Sequence, residues 1–371
     1  VKPSGKLKII VVTGSSGGHI FPALSFLEKL KAKEGDRVET LLILPNKEIN
    51  PSLIPQGINV RYIDVFYFKE KLRLDSYTFA CLAGLFKGFL KSFSIISSFR
   101  PDVVVGFGSL ASVPVVLIAW FLRIKTMIHE QNVLCGKANK LLSVFADKIA
   151  ISFPETKRYL GNKAGRAIVT GNPIRSDLKV VSAKEAREFL GLEKDKFTVL
   201  VMGGSQGSRN INFAFLEALS GLPDNNQLQV IHLTGTQDYP AISQGYQGLG
   251  VKAKTIVFLN KMQYAYSAAD LAVCRAGAIT IAELVFFGLP AILIPYPFVY
   301  KHQFFNARTL ESRQAAIILD DNQFLTNRLR TTMDILLKDR PKIGSMQQAY
   351  ADIKSRDASL AMVEELRGLI I

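Results

Sequence analysis

At 371 residues, with 48% apolar and 21% charged side chains, the chain has the length of two globular domains, and a disordered or fibrous protein is excluded. Forty-six Lys and Arg against 31 Asp and Glu leave a net charge of +15, which favours anionic partners: phosphorylated ligands, an acidic membrane face or nucleic acid. The three cysteines (Cys81, Cys135, Cys274) are odd in number and far apart, which excludes a disulfide framework or a metal-ligand spacing and points to a reducing cytoplasm.

The first apolar run, Ile9-Ile10-Val11-Val12, is too short for a signal peptide and reads as a strand over 8–13. It enters a Gly/Ser turn at 14–18 and a helix through Leu30, with Pro22 marking its start. A strand over 39–44 follows. Residues 77–99 form a greasy helix in which Phe79, Leu82, Phe86 and Phe89 are joined by only two charges, Lys87 and Lys91. The residues allow a core helix with a lysine-marked solvated face, or a helix lying on acidic headgroups. Residues 103–122 carry no charge and match a membrane span in length. Their contents argue for a buried strand, a glycine turn and a helix, because Gly106, Gly108, Ser109, Ser112 and Pro114 interrupt them.

Strands are expected over 125–129 and 148–152, and the turn Gly171-Asn172-Pro173 separates two halves. The second half repeats the pattern: a strand over 198–202, a glycine turn, and a helix over 210–219. Strands over 230–234, 255–258, 271–274 and 291–294, a helix over 281–287 and a last helical stretch over 347–366 complete it. Strands alternating with helices give parallel sheets covered on both faces.

Such sheets bind ligands outside the carboxyl ends of their strands. Gly203-Gly204-Ser205-Gln206-Gly207 is suited to an anion, since glycines let N–H groups approach and the next helix presents its positive end. No Gly-Lys-Ser/Thr follows any turn, so a Walker A loop is absent. Gly106-Phe107-Gly108-Ser109-Leu110-Ala111, with Glu130 downstream, fits a dinucleotide fingerprint but sits in the wrong turn, so a dehydrogenase is only an alternative. His19 closes the first turn as a candidate general base, and His129-Glu130-Gln131-Asn132 is a polar cluster at a strand end. His232, in a strand, reads as a core histidine. Arg275, Gly277, Thr280 and Glu283 form the richest constellation, with Glu283 able to accept from two vicinal hydroxyls of a sugar. The scattered lysines give no nucleic-acid face.

Taken together, Gly17-Gly18-His19-Ile20-Phe21-Pro22, His129-Glu130-Gln131-Asn132, Gly171-Asn172-Pro173-Ile174-Arg175, the Gly203–Gly207 turn, Arg275 with Gly277-Ala278 and Thr280, and Gln303 with Asn306-Ala307 resemble the MurG family of glycosyltransferases in order and spacing. The resemblance implies an α/β GT-B fold: two Rossmann-like, doubly wound parallel-sheet domains facing an interdomain cleft. Residues 1–174 would be the acceptor and membrane side, and 175–371 the UDP-GlcNAc side, with the last helix free to pack back. The implied reaction is inverting transfer of GlcNAc from UDP-GlcNAc to the 4-hydroxyl of the muramyl sugar of undecaprenyl-diphospho-MurNAc-pentapeptide, in peptidoglycan synthesis. His19 would be the base. Ser16, Gly17, Gly18, Asn132 and Arg175 would meet the donor, and Ser205 with Gln206 its diphosphate. Leu259 would present backbone to uracil, Ala278, Ile279, Thr280, Ile281 and Ala282 would line the nucleotide, and Glu283 would hold the ribose. His302 and Gln303 would bind the GlcNAc hydroxyls. No cofactor, metal or nucleic acid is implied. The lipid-linked acceptor implies a peripheral protein on the cytoplasmic face of the plasma membrane. It also favours an anionic membrane contact through Phe79, Leu82, Phe86, Lys87 and Lys91, with Trp120, Phe121 and Arg123 nearby.

Overall fold

A strand paired in parallel on both edges is buried on both faces, which is why its sequence reads as an unbroken β-branched run. The computed structural model describes residues 5–46, 54, 57–64, 76–223, 225–298, 301–353 and 356–370, with the backbone alone at 76–83 and 85. The chain divides into two units, Val1–Ser176 with Ser355–Ile371, and Asp177–Lys354.

The first unit runs β1 (Leu7–Val12), α1 (Gly17–Glu34), β2 (Val38–Pro45), β3 (Asn59–Ile63), α2 (Ser76–Phe99), β4 (Val103–Gly106) and α3 (Ser112–Phe121). It continues with β5 (Lys125–Glu130), α4 (Lys137–Leu142), β6 (Lys148–Ile151) and β7 (Ala167–Val169). Its strands form one parallel sheet in the order β3-β2-β1-β4-β5-β6-β7. Alternation along the strands sorts the core into two layers. Ile9, Val11, Val103 and Val105 pack with Phe26, Leu27 and Leu30 of α1, whereas Ile10, Val12 and Val104 pack with Val115, Val116 and Ala119 of α3. Each such buried side chain contributes about 1.5–3 kcal/mol.

The second unit holds α5 (Ala183–Leu190), β8 (Phe197–Met202), α6 (Arg209–Ser220), β9 (Leu228–Leu233), α7 (Tyr239–Tyr246), β10 (Lys252–Ile256), α8 (Met262–Ala268) and β11 (Leu271–Cys274). It goes on through α9 (Ala278–Phe287), β12 (Ala291–Leu293), α10 (His302–Glu311), β13 (Ala316–Ile318), α11 (Leu325–Lys338) and α12 (Arg340–Gln348). Its parallel sheet has the order β10-β9-β8-β11-β12-β13. Both units are therefore Rossmann-like, and each sheet reverses strand order once: between β1 and β4, and between β8 and β11.

The helical stretch expected over 347–366 is broken. α12 ends at Gln348, and α13 (Ala358–Ile370) starts afresh with Leu360 N donating to Asp357 Oδ1 at 3.1 Å. α13 belongs to the first unit. Met362, Val363 and Leu366 enter the core layer of α1, and Lys29–Asp357 (2.6 Å) and Lys148–Glu365 (2.8 Å) pair across it. The strand expected over 255–258 lies earlier, because β10 is an edge strand whose Lys252 and Lys254 point outward and blur its apolar signal. The same holds for β3, whose exposed Asn59, Arg61 and Tyr62 hide an edge strand from composition.

Candidate active site

At the reversal point of the first unit the chain leaves β1 through Thr13 and Gly14 and enters α1 at Ser16. Ser16 has extended backbone angles (φ −74°, ψ 146°), and its carbonyl accepts from His19 N at 2.9 Å and Ile20 N at 3.0 Å. Its side chain makes no capping bond and the first turn carries no acid, so Ser16, Gly17 and Gly18 form an exposed, positively polarised helix end. Pro22 falls in the second turn.

His19 points back at the turn after β4. Its Nδ1 lies 2.9 Å from the Phe107 carbonyl oxygen, which also accepts from Gln131 Nε2 at 3.0 Å. A carbonyl only accepts, so the proton sits on Nδ1 and the lone pair on Nε2. Burial lowers the His19 pKa below 6.5, against the opposing charge of Glu130 and the bond to Phe107. The imidazole is therefore neutral at pH 7 and ready to accept a proton. Glycine is required beside it: at Gly108 (φ 76°) a Cβ would crowd the His19 ring and the Asn139 amide, and at Gly14 it would collide with Ser109.

The His129-Glu130-Gln131-Asn132 cluster supports this arrangement from behind. Glu130 is buried; its Oε1 accepts from Asn132 N (2.9 Å), and its Oε2 from Gly136 N and Asn139 Nδ2 (both 2.9 Å). A carboxylate so engaged is unsuited to ribose, which removes the dinucleotide reading of the Gly106–Ala111 turn. His129 donates from Nε2 to the Gly171 carbonyl at 3.0 Å, and burial pulls its pKa down to about 4. Asn132 is half-buried and linked through its carbonyl to Thr156 Oγ1 at 3.2 Å. Arg175 is also half-buried, its guanidinium carbon 5.9 Å from the Phe21 ring centre.

The reversal point of the second unit is built differently. After β8 the turn doubles back, with Gly207 N donating to Gly204 O at 3.0 Å. Gly207 takes φ 77°, and a Cβ there would collide with the Thr234 carbonyl, so two strand-end turns press together at that point. Ser205 and Gln206 are left exposed just before α6. The second helix end at this point is that of α9, which starts at Ala278, earlier than the helix expected over 281–287. Ile281 N bonds the Gly277 carbonyl at 2.9 Å, which leaves the first-turn N–H groups of Ala278, Ile279 and Thr280 outside the helical ladder.

Four residues have partners that sequence reading did not show. Arg275 commits its guanidinium to the protein: Asp321 at 2.7 Å, Ser208 Oγ at 2.8 Å and the Ile294 carbonyl at 3.1 Å. Its charge is thereby balanced within the protein, and the helix ends are the other positively polarised groups at this point. Ile281 has a buried side chain and its N–H bonds the Gly277 carbonyl, so it braces the turn from behind. Gln303 Oε1 accepts from Tyr296 N (2.9 Å) and Ala276 N (3.3 Å), fastening two loops. Tyr266 hydroxyl donates to Glu283 Oε2 at 2.6 Å. Nothing local in sequence signals the Tyr266 and Arg275 pairings, which join distant segments. Ala282, Leu259 and His302 are half-buried around this end of the sheet. His232 is a core histidine, bonded to Tyr246 Oη at 2.8 Å and Asn212 Oδ1 at 3.1 Å.

Burial raises the Cys135 thiol to about 12 and pushes Cys274 higher still, so neither is a nucleophile at neutral pH. Among the described residues no group of three or more His, Cys, Asp or Glu side chains is placed to hold a metal ion. On α2, Phe86 is 64% exposed, Lys87 is exposed, and Lys91 lies 3.9 Å from Asp64. The side chains of Phe79 and Leu82 lie outside the described residues. Trp120 and Phe121 are exposed at the end of α3.

Residues 9–151 match the glycosyltransferase family 28 N-terminal domain and residues 198–362 its C-terminal domain. The chain is similar to the UDP-N-acetylglucosamine–N-acetylmuramyl-(pentapeptide) pyrophosphoryl-undecaprenol N-acetylglucosamine transferase of Halothermothrix orenii, at 38% identity over 92% of this chain and 94% of that one. A protein of the same name from Thermodesulfovibrio yellowstonii is 38% identical over 98% of this chain and 99% of its own. The fold is shared with the crystal structure of Acinetobacter baumannii MurG, at a TM-score of 0.79 and 24% identity, over 98% of this chain and 99% of that one.

Proposed function

From the premise that the chain belongs to glycosyltransferase family 28, within the N-acetylglucosamine transferases just described, we propose how its two units divide the reaction. The chain is a hexosyltransferase that moves GlcNAc from UDP-GlcNAc to the undecaprenyl-diphosphate-linked MurNAc-pentapeptide, lipid I to lipid II, in peptidoglycan synthesis. The observation that carries this is 38% identity to relatives of that name over nearly the whole chain.

The second unit takes the donor. The diphosphate sits before α6, receiving N–H bonds from the Gly203–Gly207 turn and the Ser205 and Gln206 side chains, with the positive helix end behind them. Glu283 accepts from the ribose hydroxyls, and the start of α9, Ala278 to Ala282, lines the nucleotide. Leu259 offers backbone to the base, and His302 and Gln303 bind the sugar. The first unit takes the acceptor. Nε2 of His19 removes the proton from the 4-hydroxyl of the muramyl sugar as that oxygen attacks the GlcNAc anomeric carbon. The bond from that carbon to the diphosphate oxygen breaks on the opposite face, UDP leaves, and the anomeric centre inverts. Preorganised N–H groups stabilise the charge that develops on the diphosphate. Ser16, Gly17, Gly18, Asn132 and Arg175 complete the donor contacts.

No helix among the described residues is long and apolar enough to cross a membrane. We assign the protein to the cytoplasmic membrane surface, held peripherally by the exposed aromatic residues of α2 and α3 and by Lys87 and Lys91 on anionic lipid. Charge reversal at Lys87 and Lys91 should weaken binding to anionic vesicles in a salt-dependent way; unchanged binding refutes the membrane contact. The activity itself is tested by transfer of labelled GlcNAc from UDP-GlcNAc to a lipid-linked muramyl-pentapeptide. Formation of a labelled disaccharide lipid is expected, and label passing only to other acceptors would refute the assignment.

A further inference from the structure

Tyr266 has no part in the reaction as described, yet its hydroxyl bonds Glu283. It lies on α8, its ring is buried, and the ring stacks on Phe287 with centroids 4.9 Å apart and planes 18° from parallel. The hydroxyl is thus held where packing puts it, 2.6 Å from Glu283 Oε2 and 3.7 Å from Met202 Sδ. A hydroxyl on a carboxylate at this distance is a strong, charge-assisted bond. A free glutamate side chain samples many rotamers. One whose carboxylate is fixed at one oxygen by a packed aromatic residue presents a single orientation. The carboxylate has acceptor sites for about four bonds, so one bond from Tyr266 is compatible with a vicinal diol on the same group.

We propose that Tyr266 is a positioning residue for the nucleotide ribose: it orients the Glu283 carboxylate to receive the 2′- and 3′-hydroxyls together, and so makes the site select ribonucleotides over 2′-deoxyribonucleotides. This rests on the reading of Glu283 as the ribose ligand. Tyr266 itself touches no reacting atom; its effect passes through Glu283.

The test titrates UDP and 2′-deoxy-UDP calorimetrically against the full chain, Tyr266→Phe, Glu283→Gln and the double variant. Tyr266→Phe keeps the ring and its stack on Phe287, and the ratio of the two dissociation constants does not depend on the fraction folded. The expected result is that Tyr266→Phe reduces the preference for UDP by about fivefold to tenfold, within the range for one ordinary lost hydrogen bond, because Tyr266 acts through Glu283. KM for UDP-GlcNAc should rise while kcat at saturation is unchanged. Glu283→Gln should also reduce the preference, and adding Tyr266→Phe to it should cost nothing more. A Tyr266→Phe variant that weakens both ligands equally, or keeps the wild-type preference, overturns the positioning role. So does full additivity in the double variant. If Glu283→Gln alone keeps the preference, the ribose reading of Glu283 fails, and the role of Tyr266 fails with it.

Discussion

The two units put their candidate functional residues at the same topological address and build opposite environments there. In the first unit the strand-end polar groups are buried and bonded to one another. Glu130 gathers Asn132, Gly136 and Asn139, and Gln131 shares the Phe107 carbonyl with His19. One titratable group, His19, is left with a set tautomer and a lowered pKa. In the second unit the turn is short, Ser205 and Gln206 are exposed, and two helix ends without first-turn acids lie on either side of the reversal. A rigid polar network suits a base that must be aimed. Bare helix ends suit an anion that arrives from solvent. Topology supplies the address, and the residues in the turns decide what is done there.

The sharpest way to break this contrast is His19→Ala. It should lower kcat by about 10²- to 10⁴-fold, the usual contribution of a general base, with UDP affinity unchanged in a binding titration. Acid comes next, because each unit encloses, besides His19 in the first, one fully buried neutral histidine. The folded pKa of His129 is about 4 and that of His232 about 3, both below the 6.5 of an unfolded histidine. The unfolded chain thus binds protons first as pH drops below 6.5, and native stability, complete above 6.5, falls progressively toward pH 4 and then pH 3. The loss should be about 3 kcal/mol through each ring, read together from urea unfolding at pH 7 and pH 4. A flat profile would contradict the burial of both rings as neutral groups.

Smaller effects separate the units. Glu130→Ala removes a buried acceptor from two backbone N–H groups and an amide, and should lower unfolding stability by about 2–3 kcal/mol without changing UDP binding by the folded protein. Ser205→Ala should do the reverse: stability unchanged within about 0.5 kcal/mol, since the side chain is exposed, and UDP weakened by about three- to tenfold. If Ser205→Ala unfolds the protein or Glu130→Ala abolishes UDP binding, the division between a structural network and an open anion site is wrong.

Much of this was readable before any coordinates. Strands β1, β4, β8 and β11 announce themselves because double-faced burial demands near-continuous apolar runs, and the glycines after them mark the strand-end turns. The interrupted C-terminal helix was not readable, since its break depends on Asp357 and on contacts with α1. Nor were the partners of the site residues. His19 is oriented by a main-chain oxygen of Phe107, which has no side-chain signature. Arg275 stands out in the sequence, but its pairing with Asp321, which joins distant segments, has no local signal. The family motifs marked the positions of functional groups, while the atoms that hold those groups came from distant segments that only the fold unites.

The most direct test of the central claim is hydrogen–deuterium exchange of the intact protein with and without saturating UDP. Exchange should slow at the amides of residues 204–208 and 278–280, where the helix ends are proposed to receive the nucleotide. UDP binding with those amides exchanging at their free rates would contradict the account.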